Sequence, residues 1–281
     1  APWRALFLSH ITSLPSPEFV LSTLERVPPQ PSVLAPSSTA ASYRPRARTC
    51  IYRGLWAELP ANEKNAVARN PGVYESECPT LTTDVRMEKV GQVFGTAGGG
   101  GEGPATEEEV RKKMEGSGGG GPVEAVWWVP DVATQWRVRG RAYVVGPDIE
   151  GEARSEGAEM VRSVVGRRMR VVGDEARAGE WSWQREVDGH FGNMSPAIRG
   201  SFKAPPPGRP VNEPYDDKHL ELGEPVDDVD DAIARKHFRV VVIIPDEVEQ
   251  LDLSDPKTSR RYLYSYLGDQ TGGWKMEEEW P

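Results

Sequence analysis

The sequence predicts an α+β fold, mainly β, with short antiparallel strands forming a barrel or sheet and helices at its flanks. Three observations carry that reading. Runs of β-branched and aromatic residues recur along the chain, each ended by turn residues. A few helical segments interrupt them without the regular strand–helix alternation of a parallel α/β fold. The 29 Gly and 25 Pro among 281 residues supply many turns, yet stay below the level of a low-complexity chain.

In chain order, Trp3, Leu6, Phe7, Ile11 and Leu14 fall at three- and four-residue spacing, which predicts a helix. Ser16-Pro17-Glu18 reads as an N-cap with Pro at the first helical position, so helix is expected through Phe19 to Leu24, giving a helical N-terminus over about 1–26. Pro28 to Tyr43 is rich in Pro and Ser and is expected to be a linker. Arg48 to Arg53 and Thr80 to Thr83 are strand signals, and Asp84 is the expected cap of a helix through Lys89 to Phe94. Gly95 to Pro122 has four glycines near each end, Gly98 to Gly101 and Gly118 to Gly121, around a charged helical stretch; it reads as a flexible surface insertion. Val123 to Val129 and Thr134 to Val145 are strands joined at Pro130-Asp131. Glu159 to Arg168, Trp181 to Phe191 and Asp227 to His237 are helices, and Ser201 to Pro214 is a loop. Phe238 to Ile244 and Val248 to Leu253 are two strands, followed by a hairpin of Arg261 to Tyr266 with Trp274 to Met276. The expected organisation is one decorated domain over 1–281.

Charge narrows the function. The chain carries 34 Lys+Arg against 43 Asp+Glu, net −9, the opposite of a nucleic-acid binder's usual balance. Much of the deficit sits between Glu213 and Asp255, and the rest of the chain is near neutral. The cations are 25 Arg and only 9 Lys, and Arg is preferred where a planar fork grips phosphate or carboxylate. No apolar run is long enough for a transmembrane helix, and the first fourteen residues lack a secretory apolar core, so a cytoplasmic location is expected. Two cysteines make neither a disulfide framework nor a zinc ribbon, and the four histidines show no metal-binding pairing. Asp227-Asp228-x-Asp230-Asp231 lacks the Gly and terminal Glu of a calcium loop, so no metal is expected.

Thr82, Thr83, Arg86 and Lys89 lie where a strand meets a helix, a position that favours an anion; the same residues also suit a capped helix with solvated cations. Arg48 and Arg53 bracket a strand at odd spacing and so point to opposite faces. Gln135, Arg137, Arg139 and Arg141 share one strand face, with Trp136 and Val138 on the other. Trp127-Trp128 puts one indole on each face, which places one of them at an interface or against a ligand. Arg167, Arg168 and Arg170 find no role in this reading.

Pro45 to Arg53, Leu81 to Lys89, Val126-Trp-Trp, Thr134 to Gly140 and the hairpin Arg261 to Met276, in this order, resemble the pyridoxamine 5'-phosphate oxidase-like FMN-binding split-barrel family. Ser195 to Phe202 resembles its branch of FMN-binding domains rather than the vitamin B6 enzyme proper. The resemblance implies a split β-barrel with FMN held by Arg48, Arg53, Thr82, Thr83, Arg86 and Lys89, with Gln135 reaching the flavin across a homodimer and Arg261 near its ring. It implies a flavin oxidoreductase acting at N5 on a small-molecule substrate, with Ser195, Arg199 and Lys257 as substrate candidates. Two other readings are pyridoxamine or pyridoxine 5'-phosphate oxidation and a non-catalytic flavin-binding module. The chain departs from the family where Leu251 replaces a flavin-site Trp, where Lys257 and Ser259 replace an Arg–His pair, and where Val187 and Phe191 stand near the positions of substrate-phosphate ligands.

Overall fold

The computed structural model describes residues 1–27, 42–97, 106–151, 154–215, 222–268 and 273–281. Helix α1 (Arg4–Thr12) buries Phe7 and Ile11, together with Trp3 just before it. The helix predicted from Pro17 onward is a strand, β1 (Glu18–Val27). Its burial alternates, with Phe19, Leu21 and Thr23 inward and Val20 outward, and it pairs along its whole length with β2 (Ser42–Ile51). The local cap signal at Ser16-Pro17 loses to this antiparallel ladder, because the period of the apolar residues is two. The linker expected at Pro28 to Tyr43 lies outside the described residues except for Ser42 and Tyr43, which belong to β2.

After a long loop come β3 (Tyr74–Glu75), β4 (Thr80–Asp84), α2 (Glu88–Gly95) and α3 (Glu107–Lys113). Met87, not Asp84, takes the cap position of α2 and makes no side-chain cap bond. Thr106 and Glu109 close a capping box on α3. The expected insertion is only partly one. Gly98 to Gly101 lie outside the described residues, but Gly118 to Gly121 open strand β5 (Gly118–Val129) and are mostly buried. A Cβ on Gly118 would sit 2.5 Å from the Phe94 ring, and one on Gly121 would sit 2.6 Å from the Val93 carbonyl. These glycines let α2 pack directly on the sheet; they are not a hinge.

Strand β6 (Thr134–Val145), helix α4 (Glu156–Gly166), β7 (Arg170–Val171), α5 (Trp183–Gly192), α6 (Pro196–Ser201) and α7 (Ala232–His237) follow. The two strands expected at 238–253 are one, β8 (Phe238–Asp252), which passes Pro245 through a register shift where Gly140 of β6 abuts the Ile244 carbonyl. Strands β9 (Arg260–Gly268) and β10 (Gly273–Glu279) form the predicted hairpin.

The main sheet runs β10-β9-β8-β6-β5-β1-β2, with β4 paired to the first half of β8; β3 and β7 make a separate pair. The ladder does not close. Two backbone hydrogen bonds, Arg53 N–H to the Thr80 carbonyl and Thr80 N–H to the Gly54 carbonyl, tie the tail of β2 to β4 across the gap. The architecture is therefore α+β, mainly antiparallel, as the sequence predicts. One apolar cluster fills the concave side with α1 and α2, around Phe7, Phe19, Trp127 and Trp136. A second lies between β4, β6, β8 and helices α4 to α7, around Trp56, Phe191, Phe202 and Phe238.

Candidate functional site: a cationic edge beside helix α2

Arg48 stands opposite Leu21 in the β1–β2 ladder, so its side chain shares the concave face. Its guanidinium donates to Thr23 Oγ1 at 2.6 Å, to Gln92 Oε1 of α2 at 2.7 Å and to the Leu21 carbonyl at 3.2 Å. Lys89, in the first turn of α2, donates to Thr83 Oγ1 at 3.0 Å. Cys50 is two residues along β2 from Arg48; burial pushes its thiol up, and the charges of Lys89 and Arg48 pull it back. Burial pushes both cations down from their ordinary values, and the Arg48 charge lowers Lys89 further. Among the described residues neither has a carboxylate within 4.0 Å. Asp84 and Glu88 offset the burial only from beyond ion-pair distance, so a bound anion would complement these cations. The first-turn N–H groups of α2 lack a side-chain cap at the same place.

The other predicted cofactor residues are spread around this edge. Thr82 faces the opposite side of β4 from Thr83 and accepts from Arg53 Nε at 3.3 Å. Arg86 forks onto the Asp84 carboxylate, at 3.0 and 2.6 Å, and donates to the Phe202 carbonyl at 3.1 Å. That engagement explains why Asp84 is not the helix cap, and it leaves Arg86 tied into the scaffold. On the convex face Trp128, Gln135, Leu251, Arg261 and Glu279 lie side by side across β5, β6, β8, β9 and β10. Trp128 is 50% exposed, and Val20 is exposed on the same face. Arg261 lies 3.7 Å from Glu279, and its buried Nε makes no hydrogen bond among the described residues.

The substrate candidates are not assembled. Ser195 caps α6 through its Oγ, which accepts from Ile198 N–H. Arg199 is only 6% exposed and donates to the carbonyls of Gly192, Met194, Val226 and Asp227. Lys257 is exposed in the β8–β9 turn, and among the described residues its side chain makes no hydrogen bond or ion pair with either.

Sequence reasoning missed Thr23 and Gln92. Gln92 lies one turn after Lys89, so helical spacing from an expected phosphate ligand was the available signal. It also missed a buried pair on α5. His190 is stacked on Trp56, 6.1 Å between centroids, with both ring nitrogens unbonded among the described residues, and Glu186 Oε1 lies 3.9 Å from it. Burial, then the Arg53 charge, pushes His190 down to about 3, while burial pushes Glu186 up to about 6.

The fold and site are thus an open antiparallel sheet with two half-buried cations, Arg48 and Lys89, beside one short helix. The family model for the pyridoxamine 5'-phosphate oxidase, FMN-binding domain, matches residues 1–146, and the chain belongs to that family. The match spans the α2 edge and Gln135 and ends before Ser195, Arg199, Lys257 and Arg261. Among solved structures, the chain is similar to a pyridoxamine 5'-phosphate oxidase-related, FMN binding protein from Nostoc punctiforme, with 18% identity, 100% of this chain and 98% of that chain covered, and a TM-score of 0.53. PhzG from Burkholderia lata, in complex with tetrahydrophenazine-1-carboxylic acid, is 12% identical over 99% of this chain and 89% of that one, with a TM-score of 0.45. The first likeness establishes the fold. No curated protein matches. The cofactor of the domain is FMN.

Proposed function

We propose that the α2 edge holds the FMN phosphate, with Arg48, Lys89, Thr83 and the first turn of α2 as its ligands, while Arg53 and Thr82 lie on the other face of β4. The observation that carries this reading is the pair of desolvated cations, Arg48 and Lys89, without a carboxylate partner at an uncapped helix start. Arg86 acts instead through Asp84, holding the β4–α2 turn in shape. When bound, FMN would supply the hydride or electron chemistry that no side chain offers.

Gln135 and Arg261 reach the flavin from a second copy of the chain. In one chain they occupy the convex face, whereas Arg48 occupies the concave one. The exposed Trp128 and Val20 give the convex face an apolar patch suited to a homodimer. Subunit mixing tests this. Arg48→Ala and Gln135→Ala homodimers should each bind FMN poorly, while their heterodimer should regain one tight site per two chains. A heterodimer that binds no better than its parents rules the shared site out.

The activity favoured is oxidation or reduction of a small molecule by the flavin. Oxidation of a B6 phosphate is disfavoured, because Arg199 is buried with four of its five N–H donors on backbone carbonyls and Lys257 lies in the exposed β8–β9 turn. The same observation gives weight to a second reading, a flavin-binding module without turnover. A reductant screen on the yellow protein separates them: bleaching of the flavin by a small organic donor favours the enzyme, and tight FMN with no reduction favours the module. Among the described residues no helix is long and apolar enough to cross a membrane. We read 1–281 as one domain in the cytoplasm, since both apolar clusters rest on one sheet.

A further inference from the structure

Arg48, Thr23 and Gln92 form a closed ring of three hydrogen bonds. Arg48 Nη1 donates to Thr23 Oγ1 at 2.6 Å, and Nη2 donates to Gln92 Oε1 at 2.7 Å. Thr23 Oγ1 closes the ring by donating to Gln92 Oε1 at 2.6 Å. Thr23 and Gln92 are only 4% and 7% exposed. The protons of this ring have one arrangement. A guanidinium only donates, so the Thr23 hydroxyl accepts from it, and the single hydroxyl hydrogen goes to Gln92. Gln92 Oε1 therefore receives two donors, a role its amide nitrogen cannot fill.

Such a position requires an acceptor and nothing more. A glutamate would have the same shape, would accept both hydrogen bonds and would add an ion pair to a half-buried cation. Stability alone thus favours Glu at this place; what Gln preserves is the uncancelled charge of Arg48. The neighbouring acids do not cancel it within ion-pair distance. Glu25 and Glu88 pair with Arg46, and Asp84 pairs with Arg86. Arg48 otherwise donates to the Leu21 and Arg46 carbonyls, and Lys89, one turn before Gln92, donates to Thr83 Oγ1 and the Met87 sulfur. Every acceptor that touches the two cations is neutral.

We propose that Gln92 is a specificity-determining residue of this edge. It positions the Arg48 guanidinium and, being uncharged, leaves that charge to a phosphate, so that a phosphorylated flavin is selected over an unphosphorylated one. The inference rests on the reading of the α2 edge as the phosphate site. Gln92 acts through Arg48 and is a positioning residue; Thr23 shares the work by fixing the second arm of the guanidinium.

The test is titration of the flavin-free full chain with FMN and with riboflavin, in the wild type, Gln92→Glu, Gln92→Met and Arg48→Ala, together with the melting temperature of each flavin-free protein. Gln92→Glu should weaken FMN about tenfold or more and leave riboflavin within about twofold, the loss of one charge-assisted contact. Its flavin-free melting temperature should equal or exceed that of the wild type. A purely structural role would not set stability and FMN affinity against each other in this way. Gln92→Met keeps the length and the neutrality but removes the acceptor, and should weaken FMN about threefold to tenfold with riboflavin unchanged. Wild-type FMN affinity in either variant, an equal fall in both ligands, or a lower flavin-free melting temperature in Gln92→Glu would overturn the proposal. Arg48→Ala separates the two readings. If it loses the preference for FMN while the Gln92 variants keep it, only the role of Gln92 falls; if it keeps the preference, the phosphate site itself falls.

Discussion

The α2 edge and the α5–α6 region use the same residue types to opposite ends. At the α2 edge Arg48 and Lys89 are half-buried, bonded to neutral oxygens and the Met87 sulfur, and have no carboxylate within 4.0 Å among the described residues. Around α5 and α6 the predicted ligands are engaged in the scaffold, Arg199 by four carbonyls and Ser195 by its own helix, while Arg86 in the β4–α2 turn is tied to Asp84 and the Phe202 carbonyl. A cation marks a binding site when its neighbours leave it unmatched, and a structural tie when they do not. On that criterion we propose that the cofactor half of the family's site is retained in this chain and the substrate half is rebuilt.

Substitutions can break or sharpen this contrast. The largest effect is expected from Arg199→Leu, which strands several buried carbonyls at about 1–3 kcal/mol each. Denaturant unfolding should show a loss of about 3 kcal/mol or more; unchanged stability would return Arg199 to the list of substrate ligands. Arg48→Ala should do the reverse, with little change in stability and a fall in FMN affinity of roughly ten- to a hundredfold, the worth of a charge-assisted bond.

Glu186→Gln probes the buried pair through pH. Burial holds His190 near 3 in the folded chain against 6.5 ordinarily, so the folded state loses stability as pH falls below 6.5. Glu186 works the other way. Its value is raised to about 6 from 4.5, so its contribution is present below 4.5 and lost as pH rises through 6. The two slopes oppose each other between those values. The Gln variant should therefore gain stability with rising pH more steeply than the wild type over this window, and be up to about 2 kcal/mol more stable at pH 7. Parallel curves in urea titrations at several pH values would contradict it. Smallest of all, Ser195→Ala should lose about 1 kcal/mol as a helix cap, and Lys257→Ala should stay within about 0.5 kcal/mol.

Much of this was legible in the sequence, and the failures have specific causes. β-branched alternation placed β2, β4, β5 and β6, and hairpin signals placed β9 and β10, because those patterns are local. Phe19 to Leu24 was misread because Ser16-Pro17 is a sound cap signal in isolation, and only pairing with β2 reverses it. Gly118 to Gly121 read as a linker because composition does not reveal that α2 packs against those positions. At the candidate site, motif order singled out Arg48, Thr83 and Lys89, which the structure brings to one edge, but did not show that Arg86 turns to Asp84 or that Arg199 is buried. Those facts depend on contacts between Arg86 and Phe202 and between Arg199 and Val226, far apart in the chain.

The central claim is that Arg48 and Lys89 bind the flavin through its phosphate. Equilibrium titration with FMN and with riboflavin, which lacks the phosphate, tests it directly in the wild type and in Arg48→Ala and Lys89→Ala. The account predicts that the wild type prefers FMN strongly and that each variant loses that preference while its riboflavin affinity holds. Variants that keep the full preference for FMN, or lose both ligands equally, would contradict it.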